Sequence, residues 1–173
     1  RPAHRRRAGT VGNRCRSTNR TERRTALLGW GGQFRGTIQL GRPLQLFMNG
    51  GYGEGITPYM LDLIGSGLDF TPDPNDAARI RTTPMWGWQA AAQINLSPRL
   101  FLSGGYSMVR IDKSDGFYAE DEYRQGQYIF GNIFYAVTPR FKIAGEYLYG
   151  TRENMSGVES HANRVNLLLQ YSF

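Results

Sequence analysis

Cysteine is almost missing from this 173-residue chain, where Cys15 stands alone. A lone thiol closes no internal disulfide, so no small disulfide-framed fold is available. Histidine is equally scarce: His4 and His161 are the only two, and His4 supports no metal site. No run of about 18 apolar residues occurs, which excludes a transmembrane helix. Hydrophobic residues make up 40% of the chain, too few for a helical membrane bundle. Strand-built membrane proteins stay open, because a lipid-facing strand needs an apolar residue only at every second position. Glycine at 22 residues and tyrosine at 10 suit crowded curved strands and membrane interfaces.

The formal charge of +7 is concentrated at one end. Residues 1–24 hold nine arginines and one acid, Glu22, whereas from Thr25 onward 12 Lys or Arg face 13 Asp or Glu. The leader has no aromatics and no periodicity, so Arg5, Arg6 and Arg7 do not make a nucleic-acid-binding fold. No apolar stretch follows the arginines, so it is not a secretory signal peptide. The expectation is a disordered tail, or foreign sequence from a misassigned start or reading frame. The body, 25–173, is expected to fold separately.

That body repeats one layout: a strand, a tight turn with proline and arginine, then a strand with a Gly-Tyr element. The turns are Gly41-Arg42-Pro43, Ser97-Pro98-Arg99 and Thr138-Pro139-Arg140, where proline and glycine fix or permit the turn angles. Long polar connections at Glu54 to Thr82, Asp112 to Glu122 and Glu153 to Ser160 alternate with these turns. Short turns at one end and long loops at the other are the asymmetry of an outer-membrane barrel, with turns periplasmic and loops outside. Seven strands are expected, at roughly 26–40, 44–53, 83–96, 100–111, 123–137, 141–152 and 161–173, each long enough to cross hydrocarbon on a tilt.

Alternation supports this. Phe141, Ile143, Gly145, Tyr147 and Tyr149 share one face against Lys142, Ala144 and Glu146; Val165, Leu167, Leu169, Tyr171 and Phe173 oppose Arg164, Asn166 and Gln170. The strand at 123–137 is ambiguous, since Phe130 and Phe134 fall opposite Ile129, Ile133 and Tyr135. A soluble barrel would put the apolar face inward. Long polar side chains on the other face and a terminal aromatic strand favour lipid instead. Trp86, Trp88, Tyr106, Tyr147, Tyr149, Tyr171 and Phe173 are expected as membrane-interface aromatics. The fold class is therefore an all-β, antiparallel up-and-down transmembrane barrel of a Gram-negative outer membrane. If Phe173 is periplasmic, the strand count starts from the outside, whereas complete bacterial barrels have even counts and periplasmic ends. The expectation is the C-terminal portion of a larger barrel.

Two stretches resemble the DcaP-like family of trimeric outer-membrane porins. One is Asn49-Gly50-Gly51-Tyr52-Gly53-Glu54-Gly55-Ile56 with Tyr59-Met60-Leu61-Asp62-Leu63. The other runs Gly145-Glu146-Tyr147-Leu148-Tyr149-Gly150-Thr151-Arg152-Glu153-Asn154, then Ala162-Asn163-Arg164-Val165-Asn166 and Tyr171-Ser172-Phe173. The resemblance covers about 25–173. It implies a homotrimer in outer-membrane lipid, inserted by barrel-assembly machinery through the C-terminal strand, that passes small anionic solutes such as dicarboxylates. It implies no cofactor and no enzyme. The family's N-terminal strands and inward constriction loop are read as missing.

The expected pore-lining residues are Arg35, Arg124, Lys142 and Arg164, with Gln33, Gln93 and Asn166 among them, since pore selectivity comes from charged and polar lining. They either make an electropositive wall or pair with Glu146 and loop acids. Arg42, Arg99 and Arg140 read as periplasmic surface residues. Asp62, Asp69, Asp73 and Asp76 lie in the longest loop without calcium-loop spacing. Ser160-His161 with Asn163 invites a hydrolase reading, but neighbours on a strand point to opposite faces. Diffusion channel, barrel enzyme and loop-binding adhesin are the functions to separate.

Overall fold

The computed structural model describes residues 26–112 and 116–173. The arginine-rich leader 1–24, with His4 and Cys15, lies outside the described residues. Seven long strands form one antiparallel sheet: β1 (Trp30–Leu40), β2 (Leu44–Glu54), β5 (Pro84–Ser97), β6 (Leu100–Ile111), β7 (Tyr123–Thr138), β8 (Phe141–Asn154) and β9 (Glu159–Tyr171). The short hairpin β3 (Phe70–Asp73) and β4 (Asp76–Thr82) lies between β2 and β5. In the sheet each long strand pairs with its neighbours in chain order, the up-and-down connectivity that turns of two or three residues enforce.

Each short turn is held by its own residues. Gly41 takes the left-handed region with φ 69°, which only glycine enters freely, while Gln39 Nε2 donates to the Gly41 and Leu44 carbonyls at 2.6 and 3.1 Å. Ser97 Oγ accepts from the Arg99 amide at 3.2 Å, and Thr138 Oγ1 accepts from the Arg140 and Phe141 amides at 3.3 and 3.0 Å. These hydroxyl-anchored turns fix register at the end where proline removes a backbone donor.

The register then separates two faces. Phe34, Ile38, Leu46, Met48, Trp88, Ile94, Leu102, Ile129, Ile133, Ile143, Tyr147, Val165 and Leu167 fall on one. On β9, Val165, Leu167 and Leu169 are 71%, 85% and 74% exposed. An apolar face left this open is unfavourable in water and suits hydrocarbon. The ambiguous strand resolves here. Ile129, Ile133 and Tyr135 join the apolar face, while Phe130 and Phe134 turn to the polar one, where Phe134 stacks on Phe101 at 4.6 Å between ring centroids.

Three expectations about boundaries and connections change. The first strand begins at Trp30, not at 26. The connection expected over 153–160 shrinks to residues 155–158, because β8 and β9 both extend and Gly157 turns at φ 86°. The connection after β2 is not open loop: it carries 3-10 turns at Thr57–Tyr59 and Leu61–Leu63 and the β3–β4 hairpin.

Candidate pore wall and its folded-in loop

The polar face carries an unbroken belt of hydrogen-bonding side chains across all seven strands. It runs Gln39, Gln45, Gln93, Ser103, Asn132, Glu146, Asn166, each directly opposite the next. Ser103 Oγ meets Asn132 Oδ1, and Asn166 Nδ2 donates to Glu146 Oε1 at 2.8 Å. Gln45, Ser103 and Asn132 escape a strand-by-strand reading of the sequence. Parity combined with the turn register would have found them.

Of the residues expected along a pore, Gln33, Arg35, Gln93, Lys142, Arg164 and Asn166 share this face. Arg124 departs from it. A bulge between Tyr123 and Gln125 places its Nη1 2.7 Å from Glu153 Oε1, and Glu153 shares its face with Tyr147 and Tyr149. Bulges re-aim side chains in this way, and the ambiguous alternation of β7 hid it. Arg152, not among the expected pore-lining residues, takes the polar face instead, with Lys142 parity; its guanidinium lies 5.6 Å from the Tyr123 ring centre.

The cations differ in how they are engaged. Arg164 Nε donates to Asn166 Oδ1 at 2.9 Å, and Asn166 passes the contact on to Glu146. Among the described residues no carboxylate forms an ion pair with Arg35 or Lys142. Lys142 lines a hollow of about 500 Å3 at the short-turn end with Arg42, Arg99, Phe101 and Phe134.

The longest connection folds down onto the polar face. Ile56, Met60 and Leu63 pack with Met85, Val109, Ile111 and Tyr123, and Leu63, Met85 and Ile111 are fully buried. Glycine on the wall makes the bed. A Cβ at Gly51 would meet Met60 Cε at 3.7 Å, one at Gly87 would meet Met60 Sδ at 3.4 Å, and one at Gly31 would meet Ile56 Cδ1 at 3.0 Å. The Gly-Gly-Tyr-Gly stretch thus serves the loop as well as the strand. Asp69 Oδ1 accepts from the Thr57 amide at 2.9 Å, Thr82 Oγ1 donates to Glu54 Oε2 at 2.6 Å, and Tyr123 Oη reaches Asp62 Oδ2 at 3.2 Å. The inward constriction loop that the resemblance implies is read as missing; the connection after β2 is nonetheless folded in against the polar face. It leaves a cleft of about 660 Å3 against the wall, lined by Gln33, Arg35, Asn49, Gln89 and Ser107 on one side and by Tyr59, Met60 and Asp62 on the other.

The loop acids are spent separately. Asp69 caps Thr57, Asp73 holds Arg81 Nε at 2.6 Å, and Asp76 holds Arg79 at 3.3 Å. Ser160 and His161 lie on opposite faces, Ser160 opposite Arg152 and His161 opposite Thr151, so the base is not beside the hydroxyl that a hydrolase would use.

The expected interface aromatics all take the apolar side where the register places them. Trp86 and Trp88 lie toward the loop end; Tyr171, last in β9, and Phe173 lie at the turn end with ring centres 5.4 Å apart. Tyr106 and Tyr147 start near mid-strand. Their hydroxyls reach one row toward the loop end, to Gln127 at 2.7 Å and to Asn163.

No protein-family model and no curated protein sequence matches the chain. Among solved structures it is similar to the outer membrane channel DcaP of Acinetobacter baumannii, with a TM-score of 0.73 and 21% identity over 84% of this chain. The chain spans 41% of the length of that channel. The seven-stranded antiparallel sheet thus shares the fold of part of that channel.

Proposed function

We propose that this chain forms a sector of a porin wall through which small hydrophilic solutes diffuse, with anions favoured. One observation carries the reading: a polar belt crosses all seven strands opposite a face whose apolar side chains stand open. Lipid tolerates no free strand edges, so the edges at β1 and β9 are read as continuing into a closed barrel in the outer membrane. The short turns and Phe173 are assigned to the periplasm and the loops to the outside. A homotrimer and recognition of the C-terminal strand by assembly machinery follow from the same reading.

Anion preference rests on charge count along the polar face. Among the described strand residues there, Arg35, Lys142, Arg152 and Arg164 stand against Glu146 alone. Such a wall raises the local concentration of anions, and dicarboxylates of a size to pass the cleft are the solutes of choice. Planar-bilayer recording of the full-length protein tests this. Discrete conductance steps with a reversal potential toward chloride are expected in a KCl gradient. Absence of steps overturns the channel, and a potassium-directed potential overturns the anion claim.

A further inference from the structure

At the loop end of the aromatic rows, the apolar face changes character. Arg110 lies directly opposite Trp86 on β5 and Gln125 on β7, on the side of Tyr106 and Met108. Arg124 precedes Gln125 at the bulge. In both arginines Nε is buried without a hydrogen-bond partner among the described residues. Arg124 keeps one contact, through Nη1 to Glu153; among the described residues Arg110 has no carboxylate in ion-pair range. Two guanidinium groups whose Nε lacks an acceptor among the described residues, on the side away from the polar face, are costly where hydrocarbon begins. The Nη ends of such partly buried arginines match the tetrahedral oxygens of a phosphate, which a guanidinium binds in bidentate fashion.

We propose that Arg110, with Arg124 beside it, binds the phosphate of a lipid headgroup at the loop-end border of the membrane band. The site rests on the membrane-barrel reading, and on the orientation given above the lipid belongs to the outer leaflet. Its position supports a lipid rather than a solute: Trp86 stands beside Arg110, and Trp88 and Tyr106 lie one and two rows below it, marking the interface where headgroup phosphates sit. Glu153 neutralises part of Arg124, so Arg110 supplies the charge that has no carboxylate partner among the described residues.

Native mass spectrometry of the full-length protein in detergent, titrated with diphosphorylated lipid A, tests the site. Arg110→Ala is expected to lower retained lipid about tenfold, the scale of one hydrogen bond to a charged group. Arg110→Lys, which keeps the charge but not the fork, should recover part of it. Conductance is expected to stay unchanged, since Arg110 lies outside the pore wall. Equal lipid retention in Arg110→Ala overturns the proposal. So does displacement of the lipid by inorganic phosphate at equal concentration, which marks a free-anion site. Loss of subunit association with lipid retained assigns the arginine to an interface instead and equally overturns it. If Arg110→Ala fails to fold, Arg110→Gln replaces it, with gel heat-modifiability as the folding check. Lipid retention that depends on Arg110 without any conductance sinks the porin reading and leaves this site standing.

Discussion

Asp62 Oδ2 lies 3.2 Å from the Tyr123 hydroxyl, which ties the in-folded loop to the wall strand β7. The contact sits over Gly126, where a Cβ would meet Asp62 Oδ2 at 3.1 Å and collide with the Tyr123 hydroxyl. A bare backbone at Gly126 is thus what lets tyrosine and carboxylate meet.

Loop docking should depend on pH through this pair. Burial pushes the Asp62 carboxyl above its ordinary value of 3.8, and the hydrogen bonds from Tyr123 and Tyr128 offset that only in part. The docked loop therefore binds the proton more tightly than the released loop. Docking is strongest below the ordinary value and weakens as pH rises through the raised one. After correction for intrinsic exchange, amide protection at Met60, Leu63 and Ile64, whose amides donate within the 3-10 turns, is expected to fall as pH rises above the ordinary carboxyl value and through the raised one. Asp62→Asn keeps an acceptor but no titration, so its profile should be flat. An unchanged slope in that variant would show that another group controls the loop.

Leu63 anchors the same loop by packing. It is fully buried among Met85, Ile111 and Met155, and Leu63→Ala is expected to cost about 2–5 kcal/mol of docking energy. The barrel does not depend on that cluster for its strand pairing, so heat-modifiability on gels should persist. Proteolysis within 55–83 should accelerate, and single-channel conductance should rise as the loop vacates the cleft. Faster proteolysis with an unchanged conductance would mean that the loop does not narrow the pore.

The strands were legible because both ends of each hairpin carry a signal. Proline and arginine turns fixed where β2, β6 and β8 begin, and period-two alternation supplied the faces. The loop was not legible, because Ile56, Met60 and Leu63 are spaced like any short apolar run and reveal no target by themselves. Their target is a set of glycines on strands distant in sequence, Gly51 and Gly87 among them, and glycine has no side chain to betray a contact. Arg124 escaped for a different reason. A bulge breaks the parity on which facing is inferred, and it leaves no mark in composition. Arg152 needed only one more step of parity along β8.

Selectivity should separate Arg35 from Arg164. Arg35 faces the cleft with no carboxylate partner among the described residues, whereas Arg164 is linked through Asn166 to Glu146. Arg35→Ala is expected to move the reversal potential clearly toward potassium, and Arg164→Ala to move it less. Glu146→Gln should move it the other way by releasing the charge of Arg164. Equal shifts from the two arginine variants would show that the Asn166 bridge does not hold in the open pore.

The assignment of faces has its sharpest test in two adjacent leucines of β9. Leu167 lies on the apolar face and is 85% exposed; Leu168, one residue on, lies on the polar face opposite Ala144. If the apolar face meets lipid, Leu167→Arg places a cation in hydrocarbon and costs about 2–4 kcal/mol near the midplane. Leu168→Arg places the same cation beside Asn166 and Gln170 in water and should cost well under half of that, because a lumen position pays no hydrocarbon transfer. Denaturant unfolding of the full-length protein in lipid vesicles measures both. Similar losses, or the larger loss at Leu168, would invert the faces and make the polar belt an outer surface. The pore, the anion preference and the lipid site would fall together, since each depends on that one-residue alternation.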